Sequence, residues 1–289
     1  GNLLLLAVMS CTAYIGARTG LSSTLLFRDV LGKWGTVLFS LILALVGLVW
    51  FGVQVSAAAT TWTAVFPYAN VVVLAIVLGL IMCITGAIGF KAMAVFSKIA
   101  VIPLFFLIIW GFAASVRLNS FAVVLAYAPV SLALPTVSAA VNMLYGSWAL
   151  GAAIMSDIGR YAKISFSKTV GVMAAGLFLG NFLMPIAGLY FGLYLHSWDT
   201  GVLALNLGML TFGSTVLASC IIFLAQWSTN DNNLYSASLA MNNVIQAKEK
   251  FIVSLSMGLI GVVLGALGLF NYVISIASLF GKLVPPLAA

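Results

Sequence analysis

The chain has 289 residues, 64% of them hydrophobic and only 6% charged, with 12 basic against 5 acidic side chains and a mean hydropathy of +1.22. A soluble domain of this length needs a far more polar surface, so the composition excludes one and indicates a polytopic α-helical membrane protein. The net charge of +7 is spread over short loops and gathers in no basic patch, which excludes nucleic acid as its reason.

Apolar runs long enough to cross about 30 Å of hydrocarbon number roughly nine. They cover residues 1–16, 36–65, 70–90, 92–116, 137–158, 169–195, 206–232, 251–270 and 272–289, within one transmembrane domain over 1–289. The opening GNLLLLAVMSCTAYIGA lacks the basic n-region of a signal peptide and reads as the tail of a span whose start lies outside the sequence. Thr19 to Lys33 is too polar to span and is expected to be a loop or a short interfacial helix held at the surface by Arg28 and Lys33. Pro103, Pro185, Pro285 and Pro286 fall in or near spans, where proline kinks or breaks a helix. Cys11, Cys83 and Cys220 sit in apolar runs without CxxC spacing, as small buried hydrophobes do.

Loop charges orient the chain. Exits from the odd-numbered spans carry Arg18, Arg28, Lys33, Lys91, Lys98, Arg160, Lys163, Lys168, Lys248 and Lys250, whereas the even exits carry only Arg117. The odd exits are therefore expected on the cytoplasmic side of a cell inner (plasma) membrane. Lone His196, beside Asp199, falls on the opposite side as a solvated loop residue.

Three polar or aromatic groups interrupt the apolar spans. In the second span, Trp50 and Gln54 are four apart and share a helix face. A flat π-surface beside an amide with donors and an acceptor suits a planar heterocycle, although a packed Trp and a Gln bonded to a neighbouring helix would look the same. In the fifth span, Tyr145, Gly146, Ser147, Trp148 and Gly151 lie mid-membrane, where small residues permit an unwound or closely packed helix and Trp148 offers a second aromatic face. Asp157 and Arg160, three apart, are expected to form a structural ion pair at that helix exit. In the seventh span, Ser228, Thr229, Asn230, Asp231, Asn232 and Asn233 are six consecutive polar side chains at the end of an apolar run starting near Leu207. Lipid offers such groups no partners, and a central Asp alone costs about 2.5–3.5 kcal/mol on insertion scales. The stretch therefore faces a protein-lined cavity or serves as interhelical glue. Ser228 and Thr229, with the backbone carbonyl of Ala225, are hard oxygen donors suited to Na⁺; Asn233 follows Thr229 on the same face, toward a substrate.

WFGVQ in the second span, GSW then SDIGRY in the fifth, WSTNDNNLYSA in the seventh and the opening GNLLL with YIGARTGLSS resemble the nucleobase:cation symporter family of purine and cytosine permeases, the bacterial cytosine permeases above all. The resemblance runs along essentially the whole chain. It implies a bundle whose first ten helices form two inverted five-helix repeats working by alternating access. It implies a base stacked between Trp50 and Trp148, hydrogen-bonded by Gln54 and by Asn233 and Asn232, with Ser147 beside it. It further implies Na⁺ held by Ala225, Ser228 and Thr229, with H⁺ as the alternative coupling ion, and no other cofactor. Residue 1 then falls within the second helix of the family and residue 289 within its tenth. The first helix and its sodium ligands are thus expected outside this sequence, and the fragment is not expected to transport by itself. The cytosine permeases of the family carry Phe where this chain has Trp148, and Gln near Gly47; Gln54 is closer to the hydantoin and allantoin carriers.

The reading is a secondary transporter that imports a nucleobase, cytosine foremost, with the lipid bilayer as its surroundings and no obligate protein partner. An allantoin- or hydantoin-type carrier is the alternative. A channel is the rival class, disfavoured because the polar groups are distributed over three helices rather than a filter loop. No HExxH, GxGD or Ser–His arrangement supports an enzyme.

Overall fold

The computed structural model describes residues 1–118, 122, 126, 136–163 and 165–283, and these are helical apart from short connections. Pro285, Pro286 and the last part of the ninth apolar run lie outside the described residues.

Helix α1 (Asn2–Thr19) stops at Gly20, whose φ of 73° lets its N–H turn back to the Gly16 carbonyl at 2.8 Å. Helix α2 (Ser23–Val65) is two helices joined at Gly32, where φ is 64° and ψ −173°. The segment before the break is helical, one of the two forms expected of it, and Lys33 lies over the Trp34 ring just beyond it. Helix α3 (Val71–Ile88) starts on Asn70, whose side chain accepts from the Val72 and Val73 amides at 2.9 and 3.3 Å. Gly89, at φ 111°, ends it and opens α4 (Phe90–Leu118), which carries Pro103 in its interior.

Helix α5 (Val137–Ala153) breaks at Ile154 and resumes as the short α6 (Met155–Gly159). Helix α7 (Phe166–Phe178) passes through a π-helical turn (Leu179–Leu183) into α8 (Met184–Leu195), where Pro185 occupies the first turn. A proline removes one helical hydrogen bond and crowds the preceding turn, and a π turn immediately before it accommodates both. Helix α9 (Thr200–Thr211) begins on Asp199, whose carboxylate accepts from the Val202 amide at 2.9 Å. Helix α10 (Thr215–Ile245) follows, then α11 (Lys250–Ala266), a 3₁₀ turn (Leu269–Tyr272) and α12 (Val273–Leu283).

One apolar run is divided differently from the expectation. Residues 206–232 do not form a single span: Gly213 takes φ 63°, Ser214 caps the next helix, and α9 and α10 meet at 120°. The polar stretch at 228–233 thus sits in the middle of α10, not at the end of a helix. Among the described residues helices α1 to α4, the continuous run from α7 through α8, and two bent pairs, α9–α10 and α11–α12, are long and apolar enough to cross a membrane. The difference from nine runs lies in α5–α6, interrupted at Ile154, and in α11–α12, which bend by 76° into one pair.

Helix α10 is the centre of the bundle and packs against α2, α3, α4, α9 and α11. Close approach depends on missing side chains: a Cβ on Gly47 would meet Ala237 Cβ at 2.9 Å, and one on Gly86 would meet the Leu234 side chain at 3.0 Å. Leu5, Phe39, Phe51, Met82 and Leu234 fill the main core, and Leu107, Phe191, Leu207, Ala218 and Ile221 a smaller one. The outer surface is apolar as well, with Leu3, Val95, Ile102 and Phe106 more than half exposed. Such a surface suits lipid and not water. The α3–α4 turn, Arg160 and Lys250 line one common pocket, so three of the four cation-rich exits lie on one side of the bundle, as the loop charges require.

Candidate functional site

The six polar residues of α10 cannot all face one cavity, because successive residues on a helix are about 100° apart. Ser228, Thr229, Asn232 and Asn233 occupy one arc of the helix, and all four line a cavity of about 700 Å³. Trp227, Asn230, Asp231 and Leu234 occupy the other arc, against α2 and α3. There the Thr85 hydroxyl accepts from Trp227 Nε1 at 2.8 Å and donates to Asp231 Oδ1 at 2.5 Å. Asn230, fully buried, donates to the Phe51 carbonyl and the Met82 sulfur, both at 3.2 Å. Both readings of the stretch therefore hold, the cavity for four of the six residues and interhelical bonding for Asn230 and Asp231. One face lines a cavity and the other ties helices together.

Trp50 and Gln54 reach the same cavity from α2, and Ser147 and Trp148 from α5. Eight of the nine residues expected to hold substrate or ion thus line one space, and the ninth, Ala225, adjoins it through Thr229. Trp50 is half-buried against Phe280, and its indole N–H is buried without a hydrogen-bond partner among the described residues. Gln54 makes no hydrogen bond to another described residue. Trp148 is 40% exposed and lies over Gly151, where a Cβ would approach its ring to 3.0 Å. The small residue one turn later is what lets this indole lie along its own helix. The Ser147 hydroxyl donates to the Leu144 carbonyl at 2.8 Å.

The oxygen donors are gathered where α10 meets α4. Thr229 Oγ1 donates to the Ala225 carbonyl at 3.1 Å, and Ser228 Oγ lies 2.8 Å from Ser97 Oγ. Asn232 donates to the Ser228 carbonyl at 3.2 Å, and Asn233 to Asn230 Oδ1 at 3.3 Å. Ser97 was not among the expected residues. In FKAMAVFSKIAV it stands beside Lys98, and only its helical phase within α4 could have turned it inward. Met143, Met155 and Ile274 complete apolar parts of the wall that no motif marks.

The expected ion pair between Asp157 and Arg160 is absent. Asp157, buried, accepts the Ser23 backbone N–H at 2.7 Å and so caps α2, while Ser156 and Ser23 hydroxyls meet at 2.7 Å. Arg160 lies just past the end of α6 and turns away, donating to Tyr235 and Tyr161 hydroxyls at 2.7 and 3.1 Å.

Fold and cavity together define a polytopic membrane bundle with a chamber walled by two indoles, three amides and a cluster of hydroxyls. The chain belongs to the permease family for cytosine/purines, uracil, thiamine and allantoin, whose family pattern matches residues 1–289. It is a multi-pass protein of the inner (plasma) membrane type. It is 31% identical over 292 residues to the cytosine permease of Escherichia coli K12, and equally to that of Escherichia coli O157:H7, covering 99% of this chain and 66% of each relative. The chain thus spans just under two thirds of the curated relatives it matches. Among solved structures, the inward-facing conformation of Mhp1 superposes with a TM-score of 0.79 at 17% identity, covering 99% of this chain and 66% of that one. That likeness establishes the shared fold.

Proposed function

We propose that this chain forms the substrate chamber of a secondary transporter that takes up a planar nitrogen heterocycle, cytosine foremost, together with a cation. The observation that carries the reading is the convergence of Trp50, Trp148, Gln54, Asn232 and Asn233 on one cavity of about 700 Å³. That volume lies within the range of about 300–1,000 Å³ usual for small-molecule pockets. The indoles offer faces for stacking, worth about 1–3 kcal/mol per base. The amides read the polar edge of the ring, which is where specificity among heterocycles arises. A second reading, a hydantoin- or allantoin-type substrate, draws on the pairing of Trp148 with Gln54.

Na⁺ is the coupling ion favoured by the donor set. The Ala225 carbonyl and the hydroxyls of Ser228 and Thr229 are oxygen ligands without charge, suited to a hard cation. Alternating access over two inverted five-helix repeats is the mechanism proposed with it. An ion at the α4–α10 seam would bias the bundle toward the substrate-ready state through its preference for one helix arrangement.

The experiment is equilibrium binding of labelled cytosine to the intact gene product in sodium or choline. Trp50→Ala is expected to abolish base binding while membrane insertion is retained; an unchanged affinity removes Trp50 from the site. Thr229→Ala is expected to raise the sodium concentration needed for half-maximal binding more than it weakens base recognition at saturating sodium. An unaltered sodium requirement overturns the ion assignment.

A further inference from the structure

A second cavity, of about 240 Å³, opens on the side of the bundle where the cation-rich loops gather. It is separate in its lining from the indole chamber. Arg160 and Lys250 bring two cations to it, and Ser238, Ser254 and Asn242 bring neutral polar groups; its lining holds no carboxylate. Lys250 and Ser254 are four apart on α11, and Ser238 and Asn242 four apart on α10, so each pair presents one helix face. Two helices of 29 and 17 residues, α4 and α11, also begin in this wall, at Phe90 and Lys250. Their first-turn amides have no intrahelical acceptors and carry the positive end of the helix dipole.

Two observations show that the pocket is unsatisfied. Arg160 has no carboxylate within 4.0 Å among the described residues; its partners are the neutral Tyr161 and Tyr235 hydroxyls, and its Nε is buried without a partner. The nearby Asp157 carboxylate is engaged by the Ser23 amide and lies beyond ion-pair distance, so the guanidinium has no direct ion pair. Ser254 is 8% exposed, makes no hydrogen bond to a described residue and lines the pocket. Cations, a hydroxyl without a partner among the described residues and two helix N-termini around one small space are complementary to a compact anion with several acceptor oxygens.

We propose that this pocket is an anion site that binds a phosphate group, with Arg160 and Lys250 as charge partners and Ser254 as a hydroxyl donor. At about 240 Å³ it is smaller than the usual chambers for whole ligands, and so takes a phosphate group alone. That group comes from an anionic lipid headgroup at the cytoplasmic leaflet or from free phosphate. Bound there, it bridges α4, α10, α11 and the segment after α6. Because α10 also carries the indole chamber's polar face, occupancy links the cytoplasmic surface to the chamber.

The test uses the intact gene product in neutral detergent and the double variant Lys250→Gln/Ser254→Ala. Lys250 is exposed and the Ser254 hydroxyl has no partner, so folding is expected to persist. In one arm inorganic phosphate is titrated against chloride at matched ionic strength while the melting temperature is read. Phosphate is expected to stabilise the parent saturably, with the half-saturating concentration raised about tenfold or more in the variant. In the other arm native mass spectrometry counts phosphatidylglycerol against phosphatidylcholine retained after purification; the parent is expected to retain phosphatidylglycerol and the variant to lose it. A response to phosphate alone identifies a free anion, and a retained anionic lipid identifies a headgroup. If neither arm separates parent from variant, the proposal is wrong. Should the double variant melt lower in chloride, Lys250→Gln alone carries the same comparison.

Discussion

Replacing Trp148 by Ala separates ligand recognition from stability more cleanly than any other change in the chamber. Trp148 is 40% exposed, joins no aromatic pair among the described residues, and lies over Gly151. Little buried packing is therefore lost with the indole, in contrast to Trp50, which packs on Phe280 and the main core. If a base stacks on Trp148, its removal forfeits about 1–3 kcal/mol of binding, or about a 5- to 150-fold rise in Kd. Trp148→Phe keeps part of the face and is expected to fall between parent and Ala. The assay is equilibrium dialysis of labelled cytosine with the purified intact gene product, with its melting temperature recorded in parallel. A Kd within twofold of the parent at an unchanged melting temperature would refute stacking at this position.

Further outcomes follow from the two-faced character of α10 and from its neighbours. Thr85→Val leaves Trp227 Nε1 without its acceptor and Asp231 Oδ1 without its donor. It is expected to destabilise by about 1–3 kcal/mol in thermal melting, while base affinity at saturating sodium stays within twofold. Gly146→Ala drives a Cβ onto the Ala277 carbonyl oxygen and to 2.6 Å from Gly281 Cα, both backbone atoms. Overpacking of this kind costs about 1–3 kcal/mol, so melting should fall and the α5–α12 contact loosen. Gly171→Ala, with open space around its Cβ, is expected to melt at or above the parent temperature, since Ala is the better helix former. Ser97→Ala removes the hydroxyl that meets Ser228; the expected result is a higher sodium requirement for base binding with Kd at saturating sodium little changed.

The sequence made much of the chamber legible because its residues announce themselves by being polar where lipid offers no partner. Trp50 with Gln54, Ser147 with Trp148, and Ser228 to Asn233 are conspicuous in apolar spans, and helical spacing alone predicts which share a face. Hydropathy was silent on other points for physical reasons. A window average does not register the left-handed φ at Gly213, so α9 and α10 merge into one run. The allocation of Asn230 and Asp231 to interhelical bonding depends on Thr85, Phe51 and Met82, which lie about 150–180 residues away in sequence. Ser97 stands next to a lysine near the start of the 92–116 run, and nothing in its spacing marks it as facing the cavity. Asp157 and Arg160 have the spacing of an ion pair, but α6 ends between them and the competing Ser23 amide takes the carboxylate.

The central claim is that the indole- and amide-lined chamber carries a base across the membrane with a cation. It is tested most directly by uptake of labelled cytosine, uracil, hypoxanthine, allantoin and hydantoin into cells expressing the intact gene product, in sodium or with choline replacing it. Expected is saturable, sodium-dependent uptake of one of these compounds, abolished by Trp50→Ala. No uptake of any of them, by a protein shown to be inserted in the membrane, would contradict the claim.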